Sequence, residues 1–137
     1  MSSYGYVGFG TYFDARNVSD ENLTKFMEEY DPETLRDYEK EQKKFGASCA
    51  NLSDWLDYDY PIEGYVAGVI SEKEGISLSY TFDGGVYLPY QMPWGLNEKE
   101  KNLSEADFET LMVKYLKVLD PRKTFVFEHI VDEISLM

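Results

Sequence analysis

The 137-residue chain carries 26 acids against 13 bases, a formal charge of −13, together with 12 Tyr, 8 Phe and 2 Trp. That length and aromatic content predict one independently folded domain over 1–137. The charge disfavours direct binding to nucleic acid or to an anionic membrane, whose phosphates it repels, and favours a basic partner.

The N-terminal MSSYGYVGFGT has neither a basic region nor a continuous apolar run, so no classical signal peptide is expected, and no window approaches a membrane span. Residues 4–13 alternate as a strand, with Val7, Phe9 and Phe13 on one face and Tyr4, Tyr6 and Tyr12 on the other. Its glycines at 5, 8 and 10 hint at a bulge or the close approach of another backbone. Ser19 reads as an N-cap, and Leu23, Phe26, Met27 and Tyr30 form a stripe at helical spacing. Asp31-Pro32 starts a second helix that carries Leu35, Tyr38 and Phe45 until Gly46 stops it.

A short helix is expected around Leu52 to Leu56. From Ile62 the pattern turns to strands: IEGYVAGVIS, ISLSYTF and VYLPY, joined by short turns into an antiparallel meander that ends or meets an edge at Pro89. QMPWGLNEKEKN is expected as a loop. Ser104 then opens a helix with Phe108, Leu111, Met112, Tyr115, Leu116 and Leu119 on one face, Asp120-Pro121 ends it, and TFVFEHIV is a last strand. The order β-α-α-β-β-β-α-β predicts an α+β fold: a mostly antiparallel sheet of about five strands with two or three helices packed on one face.

The negative charge is clustered. Residues 33–45 hold four acids and four bases at pairing distance along the helix, whereas residues 14–31, 51–65 and 98–109 carry −4, −4 and −3. Within SDWLDYDYPIEGY, residues 53–65, an extended chain would turn Asp57, Asp59 and Glu63 to one side and Tyr58, Tyr60 and Ile62 to the other. The acids would then stand outward at a repeat of about 6.7 Å, because unpaired carboxylates are costly to bury. Such a row is broadly comparable to a phosphate backbone. An acidic edge that prevents sheet-to-sheet pairing would look the same.

Catalytic chemistry finds little support. Asp57, Asp59 and Glu63 lack the turn glycine and spacing of a Ca²⁺ loop, so no metal is expected. Cys49 and His129, the only residues of their types, are the only possible thiolate pair, and a lone cysteine is more often a small buried hydrophobe. There is no G-x-G-x-x-G and no P-loop, and no cofactor is expected. Tyr87, Tyr90, Met92 and Trp94, within VYLPYQMPWG, are residue types enriched at interface centres, although a loop that merely caps the core would also hold them.

In size, charge and aromatic content the chain resembles the small acidic, Tyr-rich inhibitors that phages encode against host defence, anti-CRISPR proteins among them. The resemblance rests on no residue motif and carries over no functional residue. It implies a non-enzymatic inhibitor that binds a basic nucleic-acid-binding protein, such as an RNA-guided nuclease, and blocks DNA or RNA binding or cleavage by mimicking phosphate. The expected contact residues are Asp54, Asp57, Asp59 and Glu63, then Glu28, Glu29 and Asp31, then Glu98 and Glu100, with Tyr90 and Trp94 as anchors. The alternative is an immunity or regulatory module held to its partner by exposed aromatics, with charge serving solubility.

Overall fold

A computed structural model describes residues 2–57 and 61–135. In chain order the elements are β1 (Ser2–Tyr12), α1 (Asp20–Tyr30), α2 (Pro32–Phe45), α3 (Leu52–Asp57), α4 (Ile62–Glu74), β2 (Ser79–Tyr80), β3 (Gly85–Pro89), α5 (Glu98–Lys101), α6 (Glu105–Leu119) and β4 (Phe127–Ser135). Short 3-10 turns lie at Ala15–Asn17, Gly46–Ser48 and Pro93–Gly95. The fold is α+β, and its sheet is antiparallel throughout in the order β2-β3-β1-β4. Among the described residues there are thus four strands rather than about five, and six α-helices rather than two or three.

The main correction is α4, over the residues expected to form the first strand of a meander. Ile62, Val66, Val69 and Ile70 are all buried, and their spacing of four, three and one is a helical stripe. The β-branched side chains suggested a strand, but tertiary packing overrides that weak propensity. Pro61, at φ −59°, precedes the first turn, and Gly75, at φ +69°, takes the left-handed conformation that ends the helix. The second expected strand contracts to two residues, and the expected 91–102 loop holds α5.

The other boundaries follow side-chain chemistry the sequence displays. Ser19 Oγ accepts from the Asn22 N–H at 3.1 Å, and Ser104 Oγ accepts from that of Asp107 at 3.1 Å, so both helices start on side-chain caps. Pro32 is the first residue of α2, and Gly46, at φ +58°, ends it. One continuous core results, with Leu23, Phe26 and Met27 of α1, Val66 and Ile70 of α4, and Met112, Leu116 and Leu119 of α6 fully buried.

The glycines of β1 have the two roles expected of them. The β1–β4 register slips by one residue between Tyr6 and Gly8, a bulge at Val7. A Cβ at Gly8 or Gly10 would collide with the β3 backbone and Tyr87, so the strands approach where only glycine fits. Phe9 and Phe13 pack toward the helical core, while Tyr12, Tyr87 and Ile130 cover the glycine face on the opposite side.

Candidate interaction surface

β1 is eleven residues long, but β3 pairs only with its residues 8–12. Among the described residues, 2–6 are therefore paired with β4 alone, and this part of β1 and β4 forms a two-stranded ribbon beyond the rest of the sheet. The bulge decides which side chains share a face. Tyr6 is opposite Val131 and Phe9 is opposite His129. Because directly opposed residues point the same way, Tyr4, Tyr6, Val131 and His129 join the face of Phe9. Strict alternation had put Tyr4 and Tyr6 with Tyr12, and the extra residue at Val7 reverses that.

No described helix covers this end of the face. Tyr4 is 77% exposed and Tyr6 66%, and His129 is also exposed. The His129 ring is the hub: its centroid lies 5.5 Å from Tyr6, 5.8 Å from Phe9 and 5.8 Å from Tyr90. The Tyr90 hydroxyl is hydrogen-bonded to His129 Nδ1, and the Tyr90 N–H donates to Val7 O at 3.0 Å, fixing the residue that follows β3 onto the ribbon. Burial, and then the Glu105 carboxylate, push the Tyr90 phenol above its ordinary pKa.

Beside Tyr90 a groove of about 160 Å³ opens between sheet and α6, lined by Phe9, Leu88, Leu103, Glu105 and Phe108. Four residues on, Trp94 is 83% exposed within its 3-10 turn, with Met92 also exposed. Tyr87, by contrast, is buried and contributes nothing to this surface. Tyr90 and Trp94 were legible as interface types; Tyr4, Tyr6 and His129 were not. The signal that could have revealed them is the mismatch between a long glycine-broken first strand and a short VYLPY partner.

The acids do not form the expected row. Asp57 is the last residue of α3 and Glu63 lies in the first turn of α4, so neither belongs to an extended segment. Tyr58, Asp59 and Tyr60 lie outside the described residues. Asp54 is exposed, and its N–H donates to Asn51 Oδ1 at the start of α3. Glu63 instead lines a cleft of about 440 Å³ with Asp14, Arg16, Asp83 and Lys123, beside the exposed Phe82. In that cleft the Arg16 guanidinium holds the Asp14 carboxyl down to about 2.

Asp31 is half-buried. It accepts a hydrogen bond from the Tyr65 hydroxyl at 2.7 Å, and burial followed by this carboxylate drives the Tyr65 phenol well above its usual pKa. Asp31, Glu33 and Glu72 line a second cleft, of about 260 Å³, together with Lys73. Glu28 and Glu29 are exposed on the nearby turn of α1. Glu63 and Glu72 are nine residues apart, two and a half turns, so they face opposite flanks of α4 and the two clefts are separate.

Glu98 is exposed. Glu100, expected beside it at the surface, is 6% exposed: its Oε2 accepts from the Ser77 N–H at 2.8 Å and its Oε1 from that of Asn97 at 2.9 Å. Two backbone donors thus hold this carboxylate inside, and it is not a contact residue.

Cys49 is partly buried against the core, and His129 keeps its company of tyrosines on the sheet; among the described residues the two make no contact. No described helix is long and apolar enough to cross a membrane. No protein-family model, curated protein or solved structure matches the chain.

Proposed function

We propose that this chain is a non-enzymatic, acidic inhibitor acting in the cytoplasm, which engages a basic protein partner through aromatic side chains presented at the end of its sheet. The observation that carries the proposal is the uncovered face where Tyr4, Tyr6, His129 and Tyr90 gather in solvent. Contiguous exposed aromatic surface is uncommon on a monomer and marks interaction sites. Tyr and Trp are the side chains that dominate binding energy once desolvated. A charge of −13 steers a basic partner toward the surface and raises the encounter rate at low salt.

A second possibility is phosphate mimicry at the nucleic-acid site of an RNA-guided nuclease or similar enzyme. It is favoured by the acidic corner where Glu28 and Glu29 adjoin the cleft of Asp31, Glu33 and Glu72. The two assignments separate in one experiment: capture of partners from bacterial lysate on the tagged protein, with elution by salt and identification by mass spectrometry. Under aromatic anchoring, the Tyr90→Ala/Trp94→Ala double variant loses the partner and the Glu28→Gln/Glu29→Gln variant retains it at moderate salt. Under mimicry the order reverses, and DNA or RNA displaces the captured protein. A partner retained by both variants would sink both assignments.

A further inference from the structure

We propose that the outer edge of β4 accepts an extended segment of the partner as an added strand, one that carries Lys or Arg on one face. The inference rests on the partner being basic and adds how it is held. β4 is nine residues long, a span of about 30 Å, and among the described residues it pairs with β1 alone.

The direction of its free backbone follows from the ladder. The Phe13 N–H donates to Gly84 O and the Tyr90 N–H to Val7 O, so the odd-numbered residues of β1 at 7–13 bond toward β3. Gly8 and Gly10 must then bond toward β4, to Ile130 and Glu128 opposite them. Alternation leaves the N–H and C=O groups of Phe127 and His129 pointing away from the sheet, while the Val131 N–H is turned to the Tyr12 phenol. The next odd residue agrees: the Glu133 N–H donates to Asp132 Oδ1 at 2.8 Å rather than to a strand. Two consecutive outward positions, Phe127 and His129, are the backbone template that strand addition uses.

Charge selects the occupant. Glu128, Ile130 and Asp132 share one face of β4, and no Lys or Arg follows Lys123 in the chain. Ile130 is fully buried, so an added strand meets the two acids on either side of a covered apolar position and is matched by base, apolar, base. A second copy is the poorer fit: pairing two β4 strands antiparallel about Ile130 would set Glu128 against Asp132 twice, and like charges directly opposed are unfavourable. On the other face the added strand would meet His129 and Val131, the latter 43% exposed.

The test uses the intact protein with a short peptide built on Lys-Thr-Val-Thr-Lys, which sets lysine, valine and lysine on one face, and the same peptide N-methylated on alternate amides so that it cannot pair. Amide exchange by NMR is the readout. The expected result is slowed exchange at Phe127 and His129 with the plain peptide only, and binding at least tenfold weaker in the Glu128→Lys/Asp132→Lys variant. Equal binding of the methylated peptide, or protection elsewhere, would overturn strand addition. So would the same amides being protected without peptide in a dimer. None of these results depends on Tyr90 or Trp94, so this inference can fail while lysate capture still supports an aromatic-anchored inhibitor.

Discussion

At the scale of single residues, two glutamates two positions apart have opposite fates. Glu100 satisfies the N–H groups of Ser77 and Asn97 from inside the protein, while Glu98 stands in solvent with Lys101 3.5 Å away. Hydrogen bonds to a charged group are worth about 1.5–3 kcal/mol, and removing the acceptor strands two donors. Glu100→Ala is expected to lower stability in urea unfolding by about 3 kcal/mol, and Glu98→Ala to change it by less than about 0.5 kcal/mol. Glu74 makes a parallel case for pH. Burial raises its pKa, but hydrogen bonds from Lys114, Tyr115 and Lys99 outweigh burial and hold the carboxyl below its ordinary value. A depressed carboxylate contributes stability above its unfolded pKa, about 4.3, and loses it as pH falls through the lower folded value. Glu74→Gln should therefore cost stability at neutral pH and give a shallower acid limb when the unfolding midpoint is followed from pH 7 to 2.

At the scale of elements, the two glycines of α4 respond differently to one added methyl group. A Cβ at Gly68 meets nothing within 4 Å, whereas at Gly64 it comes within 2.9 Å of the Tyr80 ring. Gly68→Ala is expected to stabilise the protein by about 0.8 kcal/mol through helix propensity. Gly64→Ala should destabilise it by displacing Tyr80 from β2, seen as a lower thermal midpoint. These glycines also explain why α4 was missed. Between Ile62 and Ile70, two glycines and four β-branched residues lower helix propensity together, and the stripe of Ile62, Val66, Val69 and Ile70 is the one helical signal. α1, α2 and α6 were legible because Ser19, Pro32 and Ser104 mark their starts chemically, with polar residues between the stripes. The aromatic ribbon was half legible. Glycine in β1 announced a bulge, but only the register shows that the slip at Val7 moves Tyr6 beside His129.

At the scale of the whole molecule, charge works on stability as well as on encounter. A formal −13 repels itself in the compact state, and salt screens that repulsion over a Debye length of about 10 Å at 0.1 M. Adding sodium chloride from low ionic strength should raise the thermal midpoint while slowing association with a basic partner, two opposite trends measurable on one sample. The pairing of β1 with both β3 and β4 has a further consequence, in time rather than space. β1 is synthesised before the strands it pairs with, which lie at residues 85–89 and 127–135. At about 5–20 residues per second, roughly 6 to 25 s of synthesis separate the central strand from its last partner. During that interval the Tyr-rich strand has one edge or both unpaired, while α1 and α2 already have all their residues. The helices α1 and α2 are thus made before the sheet can close, and the aromatic ribbon of β1 and β4 is complete only once β4 has been added.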